Sequence, residues 1–391
     1  MWPQWSYVRG VRIDYLSPTI YLTDILILVL LLVSLLDIDY RKDYLSFFKK
    51  YKFYFLFIFI FSIINVAFSA NAYLALYKWL TFYKFIYLGI YVFLEDISTK
   101  EIAYVLSLSL FVIFFSFTLQ LLAQKSETRL FYFWGERRFF VNTPSIARFA
   151  FLGKEYLRPY AFFPHPNALA GFSLVAIPLL STIHQKVLKY LSIFMASIMV
   201  LLSISQAAWI SGIVIFSLFF SKIKVRLNFA FFFILLFSFL TPLFFYYFTN
   251  INPSIGRRYN LSLVSIYMVK DNPFFGVGLG NFIYEIFSYY QRFHSLIIAE
   301  ARYWIQPVHN IFLLLLSETG FVGLILVFVF IYKKLRKNFL GTPLSYSFFG
   351  ILLTGLADHY WLTLQQTQLM LTLVFTMFLK EMLLAKKIKS L

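Results

Sequence analysis

The chain contains no cysteine among its 391 residues. Disulfides, thiolate metal sites and a cysteine nucleophile are thereby excluded. Charge is also scarce: Asp, Glu, Lys and Arg together make up 13% of the residues, where a soluble domain carries about a quarter. No small-residue cleavage site follows the stretch from Met1 to Leu36. Its apolar run is long enough to stay in the bilayer, so no cleavable signal peptide is expected. What fills the chain instead is apolar side chain, 61% hydrophobic and 22% aromatic. That composition describes a polytopic membrane protein, an all-α bundle of transmembrane helices.

A span takes about 20 apolar residues, and this yardstick predicts about eleven of them. They fall near 19–36, 51–69, 72–94, 102–123, 165–182, 188–204, 207–221, 228–248, 308–332, 343–362 and 367–385. The whole of 1–391 reads as one integral membrane domain. The net charge of +18 could suggest nucleic acid, but its distribution argues for topology. Alternate short connections hold the basic residues: Arg41, Lys42, Lys49 and Lys50; Lys100; Lys186 and Lys189; Lys222, Lys224 and Arg226; Lys333, Lys334, Arg336 and Lys337; Lys386, Lys387 and Lys389. The intervening turns near Ala70, Ser205 and Thr363 hold none. The positive-inside rule then places the first set in the cytoplasm, the N-terminus outside and the C-terminus inside. Phe and Tyr in excess read as lipid-facing bulk and an interfacial belt, with no nucleic-acid partner.

Two connections are long, about 124–164 and 249–307, and the alternation puts both outside. They favour arginine where the cytoplasmic turns favour lysine: Arg129, Arg137, Arg138, Arg148 and Arg158 in the first, Arg257, Arg258, Arg292 and Arg302 in the second, the latter with Lys270 and His294. Long loops translocate largely regardless of charge. Arginine's planar fork, however, suits phosphate oxygens and never deprotonates, so an anionic lipid headgroup such as a diphosphate is a natural ligand here. At 59 residues the second connection exceeds a simple connector and is expected to carry function. With its amphipathic 259–270 stretch, the segment 249–307 would form a lid.

The external mouths of four predicted helices add polar groups at one level: His165 and Asn167; Gln206 and Trp209; His309 and Asn310; Asp358, His359 and Tyr360 near Gln365 and Gln366. His309 is expected in the first turn of the ninth span, near the unpaired N–H groups of a helix start. A neutral imidazole there can accept a proton, and general base catalysis contributes on the order of 10²–10⁴ in rate. The alternative role is a plain helix cap.

Three segments carry a family resemblance. FFPHPNALAGF (162–172) is similar to a Pro-Asn-x-x-Ala helix start. GRRYNLSLVSIYMVKDNPFFGVGLGNF (256–282) is similar to an arginine, an amphipathic helix and an Asn-Pro-hydrophobic-Gly-Val-Gly-x-Gly-Asn-Phe run. PVHNIFLLLLSETGFVGL (307–324) is similar to a His-Asn, Leu-rich, Glu-x-Gly-x-x-Gly helix. Over about 162–324 the chain thus resembles the O-antigen ligase and O-antigen polymerase superfamily of membrane glycosyltransferases. The resemblance implies a polyprenyl-diphosphate-linked glycan donor, a glycan, lipid or protein hydroxyl acceptor, and an external site needing neither metal nor cofactor. It implies an inverting reaction with His309 as catalytic base and Arg258, or the adjacent Arg257, holding the diphosphate. At 206 this chain has Gln where many relatives have Arg. A second phosphate contact is then either supplied by Arg148 or Arg158 or missing. His165, Asn167, Gln206, Asn310 and Asp358 would orient these groups.

Other motifs point to structure. GVGLG at 276–280 lacks a preceding strand and reads as a tight turn. DID at 37–39 reads as a solvated helix end. Glu318 lies nine residues beyond His309, on the opposite helix face and about 13 Å deeper. A buried structural role is expected for it, with Gly320 and Gly323 allowing close helix packing. Asp24 and Lys78 are placed to pair, leaving Lys84 without a named partner. The rival class is a transporter of lipid-linked glycan or of a small anion. It would set its site near the midplane, where only Glu318 and Lys84 are candidates.

Overall fold

In a computed structural model the chain is described over residues 2–126, 131–221, 225–249, 253–292, 305–335 and 340–388. Arg129, Lys222, Lys224, His294, Arg302, Arg336, Lys337 and Lys389 lie outside the described residues. Helix accounts for 72% of the structure. Strands form only three two-stranded antiparallel hairpins among the described residues, β1–β2 (Tyr7–Val8, Val11–Arg12), β3–β4 (Lys125–Ser126, Phe139–Phe140) and β5–β6 (Arg148–Phe151, Lys154–Leu157). The all-α expectation holds.

A helix lies over each predicted apolar segment. In chain order these are α1 (Leu22–Leu36), α2 (Ile38–Ala67), α3 (Ala72–Leu94), α4 (Thr99–Ala123), α5 (Pro166–Leu180), α6 (Lys186–Leu202), α7 (Gln206–Ser221) and α8 (Leu227–Phe248). The long second connection contributes α9 (Pro253–Asp271) and α10 (Phe282–Tyr290). Then come α11 (Ile311–Leu335), α12 (Pro343–Gly355), the short α13 (Tyr360–Thr363) and α14 (Gln365–Ile388). Among the described residues, four stretches are by themselves long and apolar enough to cross a bilayer: Ile38–Ala67, Thr99–Ala123, Phe229–Phe248 and Ile311–Ile331. Leu22–Leu36, Pro166–Leu180 and Gln206–Ser221 are apolar but shorter. The tenth predicted segment is not one helix, because the chain breaks between α12 and α13, at Leu356–His359.

Local chemistry sets the helix starts. Asp37, from the DID run, caps α2 by accepting from the Asp39 and Tyr40 amides at 2.8 and 3.2 Å. Asn71 caps α3, and Ser98 with Glu101 forms a reciprocal box on α4. His165 caps α5 with Pro166 behind it, and Thr342 caps α12 with Pro343 behind it. Each cap satisfies amides that the helix leaves open, and proline in the first turn forfeits none. α2 is continuous from Ile38, earlier than the apolar pattern suggested, with a kink at Tyr51 that separates its basic first half from the apolar second.

The chain forms two compact units. One comprises Met1–Glu95 and Leu235–Lys334, the other Asp96–Ile234 and Leu335–Leu391. In the first, the expected Asp24–Lys78 pair is replaced: Lys84 Nζ donates to Asp24 Oδ1 at 2.5 Å, with both side chains 19% exposed. Lys78 instead donates to the Tyr15 carbonyl at 2.7 Å, because the N-terminal segment folds over it. In the second unit α5 is buried along most of its length and packs on α4, α6 and α12. There Gly171 lies so close to Tyr360 that a methyl group would meet the phenol oxygen at 2.0 Å.

Candidate functional site

The second long connection is built into the first unit. Helix α9, which runs six residues longer at its start than the amphipathic pattern indicated, buries Leu261, Val264 and Met268 completely. Ser265 Oγ donates to the Leu313 carbonyl at 3.0 Å, tying α9 to the first turn of α11. Arg257 and Arg258 sit half-buried about two turns before Ser265 on the same helix. At the far end of α9, Asp271 is ion-paired with Arg292, and Asn272 Nδ2 donates to the Tyr289 hydroxyl at 3.0 Å. Burial and the neighbouring Asp271 hold the Tyr289 hydroxyl above the ordinary tyrosine range.

His309 does not lie in the first turn of α11. The helix begins at Ile311, and Asn310 is its cap: Asn310 Oδ1 accepts from the Phe312 and Leu313 amides at 2.9 and 3.1 Å and from Ser238 Oγ at 2.8 Å. Asn310 Nδ2 reaches the Ser238 carbonyl and Thr241 Oγ1 at 3.4 and 3.3 Å. Asparagine accepts these amides with better geometry than imidazole, which releases His309 from the capping role. His309 is half-buried just outside the helix, while Asn310 is 1% exposed.

Two turns on, α11 is broken. Gly320 adopts φ +66°, and the carbonyls and amides freed around it pair with segment 273–278. The Phe321 and Val322 amides donate to the Pro273 and Phe274 carbonyls at 2.8 and 3.2 Å. The Ser317 and Glu318 carbonyls accept from the Val277 and Gly278 amides at 2.9 and 3.1 Å. The glycines of GVGLG all take positive φ, which confirms a tight turn; it is one that docks against a helix. Gly320 is thus a break, not the close helix contact expected of it. Glu318 is buried, its Oε1 accepting from the Phe282 amide at the start of α10 at 3.3 Å.

Asn65, near the end of α2, completes this assembly, and the apolar pattern gave it no role. Its Nδ2 donates to the Phe275 and Glu318 carbonyls at 2.7 and 3.0 Å. Its Oδ1 accepts from Trp79 Nε1 and the Leu279 amide at 2.8 and 3.0 Å. Both donor hydrogens and both lone pairs are used. A lone asparagine inside an aromatic run was the available signal, since a polar group in a span is almost always paired.

The second unit gathers another set of predicted residues. Arg158 Nη2 donates to Asn167 Oδ1 at 2.6 Å, and Asn167 Nδ2 to Asp358 Oδ2 at 3.0 Å. Arg158 Nε donates to the Ser203 carbonyl at 2.8 Å, in the turn that leads to Gln206. His165 Nδ1 accepts from the Asn167 amide at 3.1 Å. Asp358, 5% exposed, also accepts from the His359 amide at 2.9 Å, and His359 Nδ1 lies 2.8 Å from Thr363 Oγ1. Gln206 is exposed at the start of α7. Arg148 stands apart, exposed on β5 and ion-paired with Glu155 at 2.7 Å across the hairpin.

Gln120 of α4 anchors this connection, another role the sequence reading missed. Its Oε1 accepts from the Tyr160 and Ala161 amides at 2.9 Å each, and its Nε2 donates to Glu136 Oε1 at 2.7 Å. Ser116, Gln120 and Gln124 recur at four-residue spacing, the legible trace of a polar stripe on one helix face. Burial raises the pKa of the neighbouring Tyr160 hydroxyl, although the Ala147 amide, Arg137 and Arg158 oppose the shift.

Residues 191–328 match the family model described as O-Antigen ligase, which bears out the resemblance to the O-antigen ligase/polymerase superfamily. The match runs from within α6 into α11 and contains the second and third motifs; the first, at 162–172, precedes it. No curated protein and no solved structure matches the chain.

Proposed function

We propose that this chain is an integral membrane glycosyltransferase of the ligase/polymerase type. It takes a glycan from a polyprenyl-diphosphate-linked donor and passes it to a hydroxyl acceptor of a glycan, lipid or protein at the external face. The observation that carries the reading is the tie between Ser265 and Leu313, because it fixes the arginine-bearing helix α9 on the helix that His309 precedes. The family match supports it.

In this reading His309 accepts the proton of the acceptor hydroxyl as that oxygen attacks the anomeric carbon. The bond from that carbon to the phosphate oxygen breaks, the configuration inverts, and the lipid diphosphate leaves with the bonding pair. Arg258, with Arg257 beside it, balances the charge that gathers on the leaving diphosphate. Arg158 and Arg148 are secondary phosphate contacts. Arg158 is the stronger of the two, since it bonds the turn before Gln206 while Glu155 already engages Arg148. His165, Asn167, Gln206, Asn310 and Asp358 orient. The eleven-span topology with an external N-terminus, a lid built from 249–307, and independence of metal and cofactor belong to the same proposal. Transport draws no support from Glu318, whose carbonyl and carboxylate serve the docked loop beside the α2–α3 turn.

The test is glycan transfer by purified protein from a lipid-diphosphate-linked donor, with chelator present. His309→Ala and Arg258→Ala are each expected to lower turnover a hundredfold or more while leaving thermal stability unchanged. Asn310→Ala removes the cap and the bonds to Ser238 and Thr241, and is expected to cost about 3 kcal/mol of stability. Wild-type turnover by the His309 variant overturns the assignment of the base.

A further inference from the structure

The first long connection turns back along the helix it leaves. After α4 ends at Ala123, the ring of Phe131 packs edge-on against Phe115, with centroids 6.1 Å apart, and against Phe162 at 5.3 Å. Phe115 lies eight residues before the end of α4, which is about 12 Å back along its axis. A helix of 25 residues is about 37 Å long, against a hydrocarbon core of about 30 Å. If centred, its ends emerge by only a few Å each, so Phe131 sits at or below the boundary of the acyl region and not above it.

The residues that follow are Tyr132, Phe133 and Trp134, a single 3₁₀ turn whose side chains are 67%, 95% and 58% exposed. Three consecutive aromatic side chains facing water would be costly. They continue a strip of α4 that is already apolar and outward-facing: Phe115, Leu119 and Leu122 are 53%, 46% and 77% exposed. On a membrane protein that strip faces lipid. Tyr and Trp are the residues that favour the headgroup level, their rings apolar and their polar atoms wet.

We infer that residues 132–134 form an aromatic tongue that dips into the headgroup and acyl boundary of the leaflet beside the end of α4, with phospholipid as its partner. The tongue then anchors the connection that carries Arg158 at the depth of the bilayer surface. The assignment stands on the packing of Phe131 and does not depend on the proposed enzyme activity.

The absence of cysteine gives a direct test, because any introduced thiol is unique. Phe133→Cys and Tyr132→Cys would each be spin-labelled in the full chain, reconstituted into vesicles of phosphatidylethanolamine and phosphatidylglycerol. Collision rates with oxygen, which concentrates in lipid, and with a water-soluble nickel chelate report depth. Leu108→Cys, on the outward face of α4, is the lipid reference. Asn142→Cys, exposed in the same connection, is the water reference. The oxygen-to-nickel ratio at 133 and 132 is expected several-fold above that at 142, closer to the value at 108. A ratio nearer that at 142 for both positions overturns the tongue. Phe133 packs little against the protein, so its replacement tests insertion and not folding.

Discussion

Asn65 donates a hydrogen bond to the carbonyl of Glu318 at 3.0 Å, across 253 positions of sequence. That bond joins the end of α2 to the edge of the break in α11. The same amide holds the docked glycine loop on its other side. A helix break inside a membrane protein is tolerated only where its freed backbone groups find partners. Here the loop partners the Ser317 and Glu318 carbonyls and the Phe321 and Val322 amides, and Asn65 adds a second bond to the Glu318 carbonyl.

Asn65→Leu keeps the volume and removes all four bonds. Two carbonyls, an indole N–H and a backbone amide then lose a partner, at about 1–3 kcal/mol for each that stays buried. The variant is expected to lose 3 kcal/mol or more, about as much as a single substitution commonly costs at worst. Thermal unfolding followed by tryptophan fluorescence measures it. A loss under about 1 kcal/mol would show that the break holds without the asparagine.

The two backbones at the break approach so closely that only glycine fits. A methyl group at Gly320 would meet the Phe274 carbonyl carbon at 2.3 Å, and one at Gly276 would meet the Glu318 carbonyl carbon at 2.4 Å. Both residues also have positive φ, +66° and +68°. Gly320→Ala and Gly276→Ala are therefore expected to cost about 3 kcal/mol each, strain and overpacking together. Gly341→Ala, with nothing within 4 Å, is expected to be neutral. Yield of monodisperse protein in detergent separates the three. Equal yields would argue against the docked loop.

The Asp24–Lys84 pair makes a different kind of prediction. With both side chains 19% exposed, loss of one partner strands a poorly solvated charge. Asp24→Asn keeps the acceptor that receives the Tyr21 amide, so its expected cost of about 2–3 kcal/mol falls on the stranded lysine. Adding Lys84→Met is expected to recover most of that loss. Thermal stability of the single and double variants decides the matter, and a double variant no better than the single one rules out the pairing.

The residues legible in the sequence share one property, that local sequence is enough to define them. Apolar runs predicted the helices, Pro and polar residues marked their starts, and glycine spacing announced a turn. The motif at 307–324 pointed to His309 and Asn310 together, and only the structure divided their roles, because capping depends on where the first helical amides point. Lys84 took the partner expected for Lys78 for a similar reason: reach along one helix says nothing of the N-terminal segment folding over it.

Composition and periodicity alone determined that this is a helical membrane protein, since the burial of apolar surface in lipid depends on side-chain chemistry summed over each segment. The three motifs alone carried the resemblance to the O-antigen ligase family. Tertiary structure decided which residues meet. The break at Gly320, its closure by Asn65 and the docked loop, the Arg158–Asn167–Asp358 chain and the return of Phe131 to α4 all join distant positions. Such contacts follow from how helices pack and how buried polar groups must be satisfied, and no local pattern encodes either.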